Sequence, residues 1–146
     1  MTSALHTTKS LSAYLPIEII AQHTANGKVV AGPLSARLFD ISKIGACLLM
    51  SQVMHKKFHL FYSTQENSLL SLQLFVDLPP DIENLKIPAY PLWFNLFQQG
   101  QIRNFIMEVE FSPDFEEKKR KKFLSTINRH QKKRNDSWRA QNFFCA

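Results

Sequence analysis

Asp40, Ser42 and Gly45 stand as Asp-x-Ser-x-x-Gly inside "RLFDISKIGACLLM" (Arg37 to Met50), a run otherwise apolar enough to be strand on both sides. These residue types at this spacing can do chemistry. A carboxylate accepts a pair of N–H donors such as those on a guanine edge, a hydroxyl reaches a phosphate or base edge, and a glycine lets a ligand approach the backbone. The same three residues can equally be architecture. Asp and Ser side chains bond nearby backbone N–H groups, and glycine tolerates turns and bulges that other residues resist. Spacing alone leaves both uses open.

Other reactive side chains form no comparable group. His55 and His59 stand at i, i+4, which on a helix would place two imidazoles on one face, but no third ligand lies nearby in sequence, so no metal site is expected. GxSxG, HExxH, P-loop and GxGxxG patterns are absent and the acids are scattered, so nothing points to an enzyme. The chain has two cysteines, Cys47 in an apolar stretch and Cys145 next to the last residue. They make neither a CxxC nor a metal spacing, so no disulfide framework is expected and Cys47 reads as a small buried apolar residue.

The net charge of +6 is concentrated in one place: residues 1 to 112 carry eight Lys/Arg and eight Asp/Glu, whereas residues 113 to 134 carry nine basic residues against three acidic. Most of that segment reads as a solvated helix face with a narrow apolar stripe of Phe115, Phe123, Leu124 and Ile127. The stripe is too narrow for a membrane-surface helix. The cations suit an anionic or protein partner, and Lys118, Lys119, Lys122 and Arg129, with Trp138 in the tail, are the candidate partner surface. Nucleic-acid binding through the Lys118 to Lys122 run would gain from counterion release, but no base-reading fold and no row of aromatics accompanies it.

The elements that position these residues follow from the same pattern. A chain of 146 residues with 45% hydrophobic content makes one domain able to bury a core. Strands are expected at "LPIEIIAQ", "GPLSARLFD", "GACLLM", "SLLSLQLFVDLP", "AYPLWFNLF" and "IRNFIMEVEF", with turns at Asn26-Gly27 and "QQGQ". Six short strands with turn chemistry between them predict a mainly β protein, a six-stranded antiparallel barrel. The 51–67 segment is long for a hairpin loop and should carry a short helix or pack on the core. Ser112-Pro113-Asp114 followed by Glu116 and Glu117 reads as a helix start, so one helix is expected from about Pro113 to about Lys133. This divides the chain into a flexible segment over 1–14, barrel plus helix over 15–134, and a tail over 135–146. With no apolar run near the roughly 20 residues needed to cross a bilayer, and no signal-peptide pattern, a soluble cytoplasmic protein is expected.

Asp-x-Ser-x-x-Gly between two strands resembles the second signature of the PilZ domain, the bacterial receptor module for cyclic diguanylate. "LPIEI" sits where that family has its first strand, "YPLWFN" resembles the strand that often ends in Trp, and "RNFIMEVEF" with the helix after it resembles the closing strand and C-terminal helix. The resemblance covers Leu15 to Lys133. It implies a PilZ-like barrel, a non-enzymatic regulatory or adaptor role in bacterial second-messenger signalling, no cofactor, and cyclic diguanylate as the ligand to consider. Asp40, Ser42 and Gly45 would then face the nucleotide.

The sequence departs from the family at the N-terminus. PilZ receptors that bind the nucleotide carry Arg-x-x-x-Arg before the first strand, and "LHTTKSLSAYLP" has no arginine, with His6 and Ser10 near those positions and Lys9 as the cation. Hydrogen bonds to charged groups contribute about 1.5 to 3 kcal/mol each, so losing two removes roughly 3 to 6 kcal/mol, on the order of two to four decades of affinity. Glu108 also stands where family closing strands tend to have glycine. Weak or absent binding follows unless Lys9, Arg37, Lys43 or Arg103 substitutes, and the leading expectation is action through a protein partner. The alternatives are a genuine cyclic diguanylate receptor using the turn and a basic nucleic-acid-binding small barrel.

Overall fold

Alternation of apolar and polar residues becomes six long strands in the computed structural model, which describes residues 5–6, 15–137 and 144–145. Lys9 and Trp138, like most of the 1–14 segment and the tail, lie outside the described residues. The strands are β2 (Leu15–His23), β3 (Val29–Ile41), β4 (Gly45–Met50), β7 (Leu70–Leu78), β8 (Ile82–Gln99) and β9 (Ile102–Phe111). Between β4 and β7 lie the two-residue strands β5 (Met54–His55) and β6 (Phe58–His59) and the one-turn helix α1 (Tyr62–Gln65); β1 (Leu5–His6) and β10 (Phe144–Cys145) mark the two ends. The long strands close into an antiparallel barrel in the order β2-β3-β4-β9-β8-β7. Two three-stranded meanders thus meet edge to edge, through β4–β9 and β2–β7, so neither meander leaves an open edge.

Period-two patterning places the core. Leu15, Ile17, Ile19 and Ala21 of β2 are buried while Pro16 and Glu18 are exposed, and Leu34, Ala36 and Leu38 of β3 join them inside. Leu48, Leu72, Leu74, Ile87, Met107 and Val109 complete the interior from the other strands. The Asn26-Gly27 turn forms as expected: Gly27 adopts φ +71° and Asn26 Oδ1 accepts from Lys28 N at 2.9 Å.

The C-terminal helix α2 (Glu117–Ser137) starts later than its sequence suggests. Pro113 and Asp114 form a turn in which Phe115 N donates to Ser112 O (2.9 Å) and Asp114 N donates to Ser112 Oγ (3.1 Å). These two bonds close the turn, and regular helix begins after it at Glu117. Phe115 is nonetheless buried, edge-on to Phe111 and Phe123 at centroid distances of 5.3 and 6.2 Å. Arg120 fixes the turn: its Nη2 donates to Phe115 O at 3.0 Å and its guanidinium lies 5.5 Å from the Phe115 ring. With Phe123 and Ile127 buried beneath it, the helix is held on the barrel by one narrow stripe.

Candidate functional site

The β3–β4 turn carries Asp-x-Ser-x-x-Gly, and its geometry follows from those three residues. Ser42 N donates to Gly45 O at 2.9 Å, while Ile44 N and Gly45 N each donate to Ser42 Oγ at 3.3 Å. Asp40 Oδ1 accepts from Ile41 N at 2.9 Å. The serine hydroxyl and one carboxylate oxygen are therefore engaged in shaping the loop. Gly45 is required for another reason: a Cβ there would run into the Val109 carbonyl, with Glu110 Cα behind it. The absent side chain lets β4 pair closely with β9, where Gly45 opposes Glu110. Phe111 N donates to Ile44 O at 2.8 Å, tying the turn to the closing strand.

Over this turn lies a cavity of about 140 Å³ lined by Asp40, Ser42, Ile44, Gly45, Cys47, Leu92, Glu108 and Glu110. Among the described residues its charged lining is Asp40, Glu108 and Glu110, of which Asp40 and Glu108 are engaged with partners. Glu108 is buried, and its Oε1 lies 3.7 Å from Cys47 Sγ. Ile44 and Leu92, exposed at 65% and 48%, form an apolar rim. Leu92 reaches the rim because the β8–β9 register shifts between Pro91 and Trp93, and the extra residue is turned outward.

The residues proposed to share one site are divided between two places. Asp40, Ser42 and Gly45 line the small cavity, but Arg37 lines a separate groove of about 470 Å³ with Glu18, Ser35, Ser51, Phe75 and Asn104. Lys43 is exposed at the tip of the turn, and Arg103 is exposed on β9 opposite Gln98. Neither lines either cavity. Lys9 lies outside the described residues.

The candidate partner surface on α2 is exposed at Lys118, Lys119, Lys122 and Arg129. Lys119 and Lys122 face the β7–β8 hairpin across a cleft of about 330 Å³ whose other walls include Asp81, Glu83 and Lys86. Arg129 Nη2 lies 3.1 Å from Asp81 Oδ2, with His130 Nε2 at 3.6 Å, so one part of the basic face is already paired to the barrel.

Two readings of the sequence are corrected. His55 and His59 belong to the β5–β6 hairpin, where His55 opposes Phe58 and Met54 opposes His59, so they do not share a helical face. Instead His59 Nδ1 accepts from Phe61 N and Tyr62 N, both at 3.1 Å, and supplies the acceptor that starts α1. Burial holds its pKa below the ordinary 6.5. Cys47, read as a plain apolar residue, is disulfide-bonded, and the described residues include no free cysteine.

No family model and no curated protein matches the chain. Among solved structures it is similar to the PlzA protein of Borreliella burgdorferi, whose crystal structure is a complex with c-di-GMP. The identity is 13%, the TM-score 0.46, and the match covers 88% of this chain and 52% of that one. The chain thus spans about half the length of that protein.

Proposed function

We propose that the chain is a non-enzymatic, PilZ-like regulatory or adaptor protein that acts by binding a protein partner, with weak or absent binding of cyclic diguanylate. The observation that carries this reading is the cavity over the Asp-x-Ser-x-x-Gly turn, about 140 Å³ in volume and lined by Asp40, Glu108 and Glu110. Sites for drug-sized ligands run to roughly 300–1,000 Å³, and a cyclic dinucleotide is larger than most such ligands. Arg37, a candidate cation for such a ligand, lines a different groove. The serine and glycine of the motif have structural tasks that need no ligand.

The same lining favours another kind of guest. The apolar rim of Ile44 and Leu92 suits an aliphatic side chain presented by a protein. Calorimetric titration of cyclic diguanylate into the full chain, with Asp40→Ala as control, tests the nucleotide half. No heat at micromolar concentration is expected; micromolar binding abolished by Asp40→Ala would make the chain a receptor instead. Capture of a protein partner by wild type and its loss in Ile44→Asp tests the other half, and undiminished capture by the variant would remove the turn from the interface.

A further inference from the structure

The outer wall of β3, β4 and β9 is buried where a barrel's outer surface should be wet. Phe39, Cys47, Leu49 and Ile106 each retain 5% or less of their exposure, yet none belongs to the interior cluster. Their register shows them on the outward face: Cys47 lies between Asp40 and Glu108, and Leu49 between Arg37 and Ile106. Asn104 and Glu108, polar residues on the same face, are buried with them. Arg37, Phe39, Asp40, Cys47 and Glu108 are all engaged with partners. Something covers this wall.

The two ends of the chain are in place to do so. β1 and β10 pair antiparallel, Leu5 with Cys145 and His6 with Phe144, and β10 runs beside β3, the strand adjacent to Cys47. Cys47 is disulfide-bonded, and the chain's one other cysteine is Cys145. We propose that the β1–β10 ribbon is a cover for the outer wall, fastened by a Cys47–Cys145 disulfide, and that reducing this bond uncovers the apolar side chains of β3, β4 and β9. The bond would form by thiol–disulfide exchange with a low-molecular-weight disulfide. One protein thiolate attacks it and displaces one thiol; the second protein thiolate then displaces the other, so two cysteines are oxidised and one external disulfide is reduced to two thiols. External dithiols reverse both steps. The covered wall shares Asp40, Cys47 and Glu108 with the cavity over the turn, and the disulfide and the wall are both read without any nucleotide.

The full chain prepared without reductant provides the test. Alkylation under denaturing conditions should label neither cysteine, the intact mass should lie below that of the reduced chain by two hydrogen atoms, and a peptide map should join the Cys47 and Cys145 peptides. Reduction of the native chain should raise the fluorescence of a hydrophobic dye several-fold and hasten tryptic cleavage at Arg139. Cys145→Ser, a change at the chain end, should show both effects without reductant. Two alkylatable thiols in the unreduced chain would overturn the proposal. So would a disulfide that joins two chains on a non-reducing gel, or dye binding and cleavage that reduction leaves unchanged.

Discussion

The β3–β4 turn and helix α2 are the two features that sequence singles out, and they use their polar groups in opposite ways. In the turn, Ser42 and Asp40 direct hydrogen bonds back into their own loop, and Gly45 is required by a neighbouring carbonyl. On α2 Lys118, Lys119, Lys121 and Lys122 are exposed, and the helix is held by Phe123 and Ile127 beneath. A motif rich in functional residue types is thus closed on itself, while a segment of plain lysines has its charge available. Residue type states what a side chain could do; its hydrogen-bond partners decide what remains free to do it.

The largest test of this contrast is on the helix side. Phe123 retains 1% exposure and meets both Phe111 and Phe115, so Phe123→Ala should cost about 3–5 kcal/mol, read as a lower urea midpoint. A cost under about 1 kcal/mol would mean that the helix is not anchored by this stripe. Next comes Gly45→Ala. Its Cβ meets backbone of β9, which cannot move aside as a flexible side chain would, and overpacking of this kind costs roughly 1–3 kcal/mol. Ser42→Ala removes the acceptor of two backbone N–H groups at an exposed turn and should cost about 1 kcal/mol. If Gly45→Ala and Ser42→Ala were both neutral in stability, the motif would not be architecture and the ligand reading would regain its ground.

Much of the fold is legible in the residues because burial of one strand face imposes period two. Leu15 to Ala21 and Leu70 to Val76 announce their inward side directly. The first half of β8 is not announced: "DIENLK" mixes acids and amide with two apolar residues and borders Pro79-Pro80, and it becomes strand by pairing with β7 in the hairpin. The helix start is misplaced by four residues because the capping signature Ser112-Pro113-Asp114 closes a separate turn, with Phe115 N donating to Ser112 O, before α2 begins. The β3–β4 turn is legible as a turn, and its internal satisfaction is not, since that depends on distances of tenths of an ångström. Least legible is the outer wall. Alternation assigns Phe39, Leu49 and Ile106 to the solvent side, yet they are buried, and the cover we propose for them comes from segments remote in sequence.

A pH dependence probes a third region against these two. His59 accepts two backbone N–H groups in its neutral form, and burial lowers its pKa below 6.5. The unfolded chain therefore binds the proton more readily. Stability from this residue is complete above the unfolded value of 6.5 and falls as pH drops through that value toward the folded one. His59→Asn, which keeps an acceptor but does not titrate, should flatten the change in urea midpoint between neutral and mildly acidic pH. An unaltered slope would assign the dependence elsewhere.

The smallest effect tests how far the charge on α2 really is free. Arg129 pairs with Asp81 at 3.1 Å, but both side chains are substantially exposed, at 56% and 40%. A pair so placed competes with water and loses side-chain entropy, so its net worth is about 0.2–1 kcal/mol. Arg129→Ala should therefore lower stability by no more than about 1 kcal/mol, and the difference should shrink as salt is raised, since screening over about 3 Å at 1 M removes most of an exposed pair's attraction. His130 Nε2 sits 3.6 Å from the same Asp81 oxygen, so Asp81 keeps a second contact with α2 when Arg129 is removed. A larger loss, insensitive to salt, would make Arg129 part of the helix anchor rather than of its solvated face, and would move one residue of α2 to the same footing as Ser42 in the turn.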